Sequence, residues 1–167
     1  MNLVIVRSNE DDAQLIASIL NEAIQYKLHH QDKAWGSEAF TEQEIRKQQA
    51  TSSTYIVYLN AEPVATFAMR WQDKRIWGDK EKGYAGYIHR LAIKDGFHGQ
   101  HIGQEIMGWA REQTRLKGCK YMRLDCSPTN KKLCAYYEKL GFTQVGTHEF
   151  PSYTAGLYES RLTEGSK

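Results

Sequence analysis

The chain has 167 residues, 41% hydrophobic and 25% charged, with a formal net charge of +2. That length suits one domain with a substantial core, and the balance is that of an ordinary globular protein rather than a disordered one. Such a charge excludes the basic footprint of a nucleic-acid or anionic-membrane binder, and no apolar run approaches the ~20 residues of a membrane span.

The N-terminus, M-N-L-V-I-V-R-S-N-E, turns polar too soon for a signal peptide. Leu3 to Arg7 reads as a short apolar strand. Ser8 or Asn9 then caps a helix whose first turn carries Glu10, Asp11 and Asp12, where acid side chains suit the dipole. Leu15, Ile16, Ile19, Leu20, Ala23 and Ile24 recur at helical spacing, and the helix ends near His29-His30. Those adjacent histidines do not share a helix face and suggest no metal site. After the irregular stretch 29–36, a mostly polar surface helix is expected from Thr41 to Ala50, with Glu44 at capping-box distance from Thr41.

Thr54 to Leu59 and Val64 to Trp71 read as a hairpin around Asn60-Ala61-Glu62-Pro63. Residues 72–84 are polar and glycine-bearing, hence a loop, with Trp77 expected to pack down on the sheet. Tyr87 to Lys94 is the next strand, Asp95 to His101 a turn with Gly96 and Gly99, and a helix follows with Ile102, Ile106, Trp109, Gln113 and Leu116 on one stripe. Gly118 ends it. Tyr121 to Cys126 is a strand, Lys131 to Leu140 a helix stopped by Gly141, and Phe142 to His148 with Tyr153 to Arg161 a final antiparallel pair. This order predicts an α/β fold, a mixed sheet with helices on both faces, as a single domain over 1–162 with a flexible tail at 163–167. Cys119, Cys126 and Cys134, an odd number without spaced pairs, give no disulfide framework or zinc site. Free thiols in a cytoplasmic protein are the expectation.

A strand, a glycine-bearing turn and a helix start make a phosphate cradle, because the first helical N–H groups have no intrahelical partner and the dipole favours an anion there. Taken alone, the stretch reads equally well as a tight turn between core elements. It is joined by a second one, Y-M-R-L-D-C-S-P-T-N-K-K-L-C-A-Y-Y-E-K-L-G-F at 121–142. The two together resemble the GNAT acetyltransferase family, which uses acetyl-coenzyme A. The family's loop, roughly Q/R-x-x-G-x-G/A, falls on His98-Gly99-Gln100-His101-Ile102-Gly103. His98 stands where Gln or Arg is usual and His101 where Gly is usual. Its later motif, N-x-x-A-x-x-x-Y-x-x-x-G-F, is matched by Asn130, Tyr137, Gly141 and Phe142, with Leu133 in place of Ala.

The resemblance implies a GNAT-like acyl-CoA N-acyltransferase fold whose sheet is splayed between Tyr87–Lys94 and Tyr121–Cys126, with coenzyme A entering the splay. It implies backbone donors from the loop (His98, Gly99, Gln100, His101, Ile102 and Gly103) to the pyrophosphate, backbone bonds from Leu91 and Ile93 to the pantetheine, and an anchor in Asn130. Tyr137 is the candidate general acid, since a phenol with a pKa near ~10 can donate to a departing thiolate. Its bland alternative is a core aromatic. His89, which strict alternation places on the face of Leu91 and Ile93, is a candidate base, although a buried structural histidine is the competing reading. Asp125 is placed to bind a substrate ammonium. Trp35 and Trp71 could wall an acceptor pocket, because aromatic faces attract ammonium ions. The expected reaction is acetyl transfer from acetyl-CoA to a primary amine of a small molecule. No nucleic acid, membrane or metal partner is expected, and a homodimer is compatible. A non-catalytic acyl-CoA-binding module is the alternative. An ordinary nucleotide-binding domain would need a G-x-x-x-x-G-K-[ST] loop, which the chain lacks.

Overall fold

In the computed structural model, which describes residues 1–164, seven segments rich in β-branched and aromatic residues join in one sheet. The strands are β1 (Leu3–Arg7), β2 (Ser53–Leu59), β3 (Glu62–Arg70), β4 (Ala85–Ile93), β5 (Tyr121–Cys126), β6 (Thr143–Glu149) and β7 (Thr154–Arg161). Their order is β1-β2-β3-β4-β5-β7-β6, and all neighbours are antiparallel except β4 and β5. The hairpin between β2 and β3 turns on Asn60 and Ala61, both left-handed, as a two-residue turn matched to strand twist requires. Of the tail expected at 163–167, residues 165–167 lie outside the described residues.

Helices cover both faces. On one side lie α1 (Ala13–His29) and α2 (Glu42–Thr51). Asn9 caps the turn that leads into α1, and Thr41 and Glu44 form the capping box of α2. Ile16, Ile19, Leu20 and Ile45 pack there against Ile56 and Ala92 of the sheet. On the other side lie α4 (Ile102–Leu116) and α5 (Lys131–Lys139), where Ile102, Ile106, Met107, Tyr137 and Phe142 pack on Phe67, Met69, Ile88 and Leu124. The buried stripe of α4 departs from the expected one. Gly103, Ala110 and Thr114 are buried while Leu116 is 72% exposed. The helix is seated through its small residues, with Thr114 bonded to Ala110 O and set against Gly86 of β4.

The stretch expected to be a loop at 72–84 contains a short helix, α3 (Lys74–Trp77), and a following 3-10 turn. Trp77 is 3% exposed and meets the Tyr87 ring edge-on at 5.7 Å, with the Arg123 guanidinium 4.5 Å above it. It therefore packs on the sheet, as expected, and pins the segment to the face that carries Tyr87. Among the described residues no helix is long and apolar enough to cross a membrane.

Two irregularities open the sheet. The parallel β4–β5 ladder holds only at Ala85–Tyr121, Gly86–Met122 and Tyr87–Arg123, and the strands then diverge. The β3–β4 ladder slips between Thr66 and Ala68, opposite Arg90, whose φ is 49°. This is a β-bulge, and its extra residue advances the alternation by one. Leu91 and Ile93 consequently pack toward α4 and α5. His89 points to the opposite face, with Asp125. The expectation that His89, Leu91 and Ile93 share a face is thus wrong, because strict alternation does not hold across a bulge.

Candidate active site

The divergence of β4 and β5 leaves a cleft of about 1440 Å³ running from the start of α4 to the ends of β5 and α2. At one end the turn before α4 is built from left-handed residues: Gly96 at φ 83°, Gly99 at 79° and His101 at 62°. Residue 101 is therefore a position where glycine would be unstrained, and the histidine bears the cost. His101 gives no side-chain cap to α4, so the first N–H groups of the helix remain available to a ligand. Gly103 lies beneath Tyr136, and a Cβ there would sit 2.7 Å from the Tyr136 hydroxyl. His98, Gly99, His101, Ile102 and Gly103 all line the cleft; Gln100 does not, and its side chain folds back to donate to Gly96 O at 3.2 Å. His98 stacks on Tyr26 of α1, with ring centroids 4.2 Å apart. Burial pushes its imidazole pKa down, so it meets an anion near neutral pH as a neutral donor.

Leu91 and Ile93 line the middle of the cleft. The bulge beside them takes the backbone around Arg90 and Leu91 out of the regular ladder. Asn130 caps α5, accepting from Leu133 N at 3.1 Å, and its amide nitrogen donates to Asp32 at 2.8 Å. One amide N–H is left for a ligand. Asp32 gives no signal in the sequence, being 98 residues from Asn130. Its side chain is fully buried, paired with Lys27 at 2.8 Å and accepting from Ala34 N at 3.0 Å. Burial alone would raise this carboxyl, but Lys27 and Asn130 reverse the effect and hold it low. Tyr137 also faces the cleft. Burial, and then the neighbouring Cys126, push its hydroxyl pKa well up, so it keeps its proton throughout the ordinary pH range. Its charged neighbours include Asp125 and Asp32.

At the other end stand Trp35, set edge-on to Phe40 at 6.2 Å, and the group around His89. His89 Nε2 lies 3.1 Å from Asp73 Oδ2, and Nδ1 lies 3.9 Å from Asp125 Oδ1. Asp73 comes from the segment expected to be a loop, and composition gave no hint of its role. Burial opposes its charge, but the neighbouring His89 holds its carboxyl low. Burial raises the Asp125 carboxyl, with His89 offsetting only part. Two carboxylates pushed apart around one imidazole are an arrangement able to move a proton. Trp71 is absent from the cleft. It packs against Gly86 on the α4 side, beneath the Lys117 ammonium at 5.1 Å, and so cannot bind an acceptor as expected.

A family model described as "Acetyltransferase (GNAT) family" matches residues 16–142. The N-acetyltransferase YesJ of Bacillus subtilis is 31% identical over 91 residues, 54% of this chain and 49% of YesJ, so the match spans about half of that relative. Among solved structures, AAC(6')-Ib in complex with ribostamycin and coenzyme A superposes with a TM-score of 0.77 at 21% identity, covering 96% of this chain and 94% of that one. The yncA protein of Salmonella typhimurium with its cofactor acetyl-CoA gives 0.71 at 15% identity, covering 100% and 98%. The structural likenesses establish the α/β GNAT fold, and the match of the family model shows that this chain belongs to the GNAT acetyltransferase family.

Proposed function

We propose that the protein transfers an acetyl group from acetyl-CoA to a primary amine of a small molecule by direct attack, with residues 1–162 acting as one catalytic domain in the cytoplasm. The observation that carries this reading is the single cleft, with an uncapped helix start at one end, the Asp73–His89–Asp125 group at the other and Tyr137 facing into it. The GNAT neighbours with bound coenzyme A or acetyl-CoA, one of them with an aminoglycoside, support both the cofactor and a small acceptor. The residues present fit the cofactor: the α4 start and Gly99–Gly103 take the pyrophosphate, and Leu91, Ile93 and Asn130 hold the pantetheine.

An alkyl ammonium has a pKa near ~10 and must lose a proton before it can attack. Asp125 holds the ammonium and His89, set between Asp73 and Asp125, takes the proton. Backbone N–H groups at the Arg90–Leu91 bulge face the carbonyl oxygen as it becomes an oxyanion. When the carbon–sulfur bond breaks, Tyr137 donates its proton to the thiolate. Cys126 and Cys134 are both buried, with raised pKa for Cys126, so neither is poised as an acyl-carrying thiolate.

The test is calorimetry with acetyl-CoA together with thiol release over a panel of primary amines. Micromolar to millimolar cofactor binding with amine-dependent thiol release is the expected result. Binding without release across the panel would make the chain a non-catalytic acyl-CoA module, and no binding at millimolar cofactor would remove both readings.

A further inference from the structure

The acceptor end of the cleft holds four cations without a close ion-pair partner among the described residues. Arg70 of β3, Arg75 of α3, Arg90 of β4 and Lys47 of α2 all line it. Among the described residues, none of the four lies within 4.0 Å of a carboxylate. Arg70 donates to Thr51 Oγ1 at 3.2 Å and Arg90 to Gln48 Oε1 at 3.1 Å. Thr51 and Gln48 are neighbours on α2, one turn apart, so both guanidinium groups are braced against the same turn by neutral partners. Arg90 also lies over the Phe40 ring at 4.4 Å.

The nearby acids are committed elsewhere. Glu44 closes the capping box of α2 with Thr41 N at 2.7 Å, and Asp73 holds His89 at 3.1 Å. Burial opposes the charge on Arg90; Glu44 offsets part of this, and the neighbouring Arg70 adds a smaller repulsion. Two guanidinium groups this close, half-buried, repel one another and are costly to keep without an anion. The guanidinium fork matches the geometry of a carboxylate or phosphate. The position of the pair adds the second half of the argument. Arg90 follows His89 directly, turned from the sheet by the bulge at φ 49°, and Arg70 is three residues from Asp73. An anion held by Arg70 and Arg90 therefore lies beside the group that handles the amine.

We infer that the acceptor is an amine that also carries an oxyanion, a carboxylate or a phosphate, and that Arg70 and Arg90 form its anion subsite. This rests on the acetyl-transfer reading and narrows it to amino acids, amino phosphates and compounds of that kind.

The test uses two matched pairs of amines: β-alanine with its methyl ester, and 2-aminoethyl phosphate with ethanolamine. Each is measured by calorimetry on the protein saturated with free coenzyme A, and by thiol release with acetyl-CoA. In at least one pair the anionic member should bind tenfold tighter or more and show a similarly higher kcat/KM, with the advantage falling as salt rises. The pair that responds tells carboxylate from phosphate. In R70Q/R90Q the advantage should collapse to about onefold; where that variant folds poorly, the salt dependence of the unaltered protein is the readout. No anionic advantage in either pair, or an advantage that survives in R70Q/R90Q or is indifferent to salt, overturns the inference. The two readings separate cleanly. Thiol release without charge preference sinks the anion subsite and leaves acetyl transfer standing. Charge-dependent binding without thiol release supports the subsite and sinks acetyl transfer.

Discussion

The two ends of the cleft are built in different ways. The cofactor end is made of residues close in sequence: a strand end, a glycine-bearing turn and a helix start at 91–103, and one helix from Asn130 to Tyr137. Its geometry comes from backbone conformation, with left-handed φ angles at 96, 99 and 101 and an uncapped helix N-terminus. The acceptor end is made of side chains delivered from six segments: Trp35 after α1, Gln48 and Thr51 on α2, Arg70 on β3, Asp73 before α3, His89 and Arg90 at the bulge, and Asp125 on β5. A cradle of backbone N–H groups recognises one ligand and tolerates few changes. A wall of side chains on separate elements can be altered one residue at a time, which lets one fold take different acceptors.

The largest effect is expected where the two ends meet. Tyr137→Phe removes one hydroxyl and leaves the ring seated against Phe142, whose centroid is 5.9 Å away. In steady-state kinetics kcat should drop by roughly 10²-fold while cofactor affinity holds, since in the proposed mechanism the hydroxyl acts only as the thiolate leaves. A loss of affinity at normal kcat would move Tyr137 from chemistry to cofactor binding and thus wholly into the first end.

This contrast also explains what could be read from the sequence. The cofactor end was legible because turn glycines, helix starts and the N-x-x-x-x-x-x-Y spacing are local signals, and because Tyr137 keeps helical register with Asn130. Most elements were placed within two residues, as at the Thr41–Glu44 box. The acceptor end was not legible. Asp73 and Asp32 act across long loops, and no local pattern marks an acid that will be buried opposite a histidine or an asparagine. Trp71 and Trp35 look alike in sequence, yet only Trp35 reaches the cleft. The face of His89 was lost to a single-residue bulge at Arg90, a non-glycine residue whose φ nothing in the sequence announces.

A second, smaller effect probes the acceptor end alone. Asp73→Asn keeps a hydrogen-bond acceptor for His89 Nε2 but removes its charge. The charge that steadies the imidazole as it takes up the amine's proton is then lost, so kcat/KM should fall about tenfold in steady-state kinetics. The other ionisable groups facing this site are Asp125, which stays near Nδ1, His148 and Arg75, which act on Asp125, and Arg70, which acts on Asp73. An unchanged kcat/KM with His89→Gln still inactive would leave His89 as the base and Asp73 as packing. The same experiment should leave cofactor binding at the far end untouched, which is the sharpest statement of the division between the two.

The smallest effect is expected where one end is tied to the other. Asp32, in the turn after α1, accepts from Asn130 and pairs with Lys27, so it joins the acceptor-side segment carrying Trp35 to the helix that carries Tyr137. Its carboxyl is held below the usual range, so its contribution to stability is fully present above the unfolded pKa, near ~3.9. That contribution is lost as pH falls through the folded value. Asp32→Asn keeps the shape and an acceptor oxygen but loses the charge opposite Lys27 and the charge-assisted bond to Asn130. Stability should fall by about 1–2 kcal/mol between pH 5 and 8. Thermal or urea unfolding as a function of pH checks this, and the gap between the variant and the natural protein should narrow below about pH 4 as Asp32 itself takes up a proton. A gap that stays constant into acid would mean that the asparagine disturbs packing rather than charge, and the link between the two ends would then be steric.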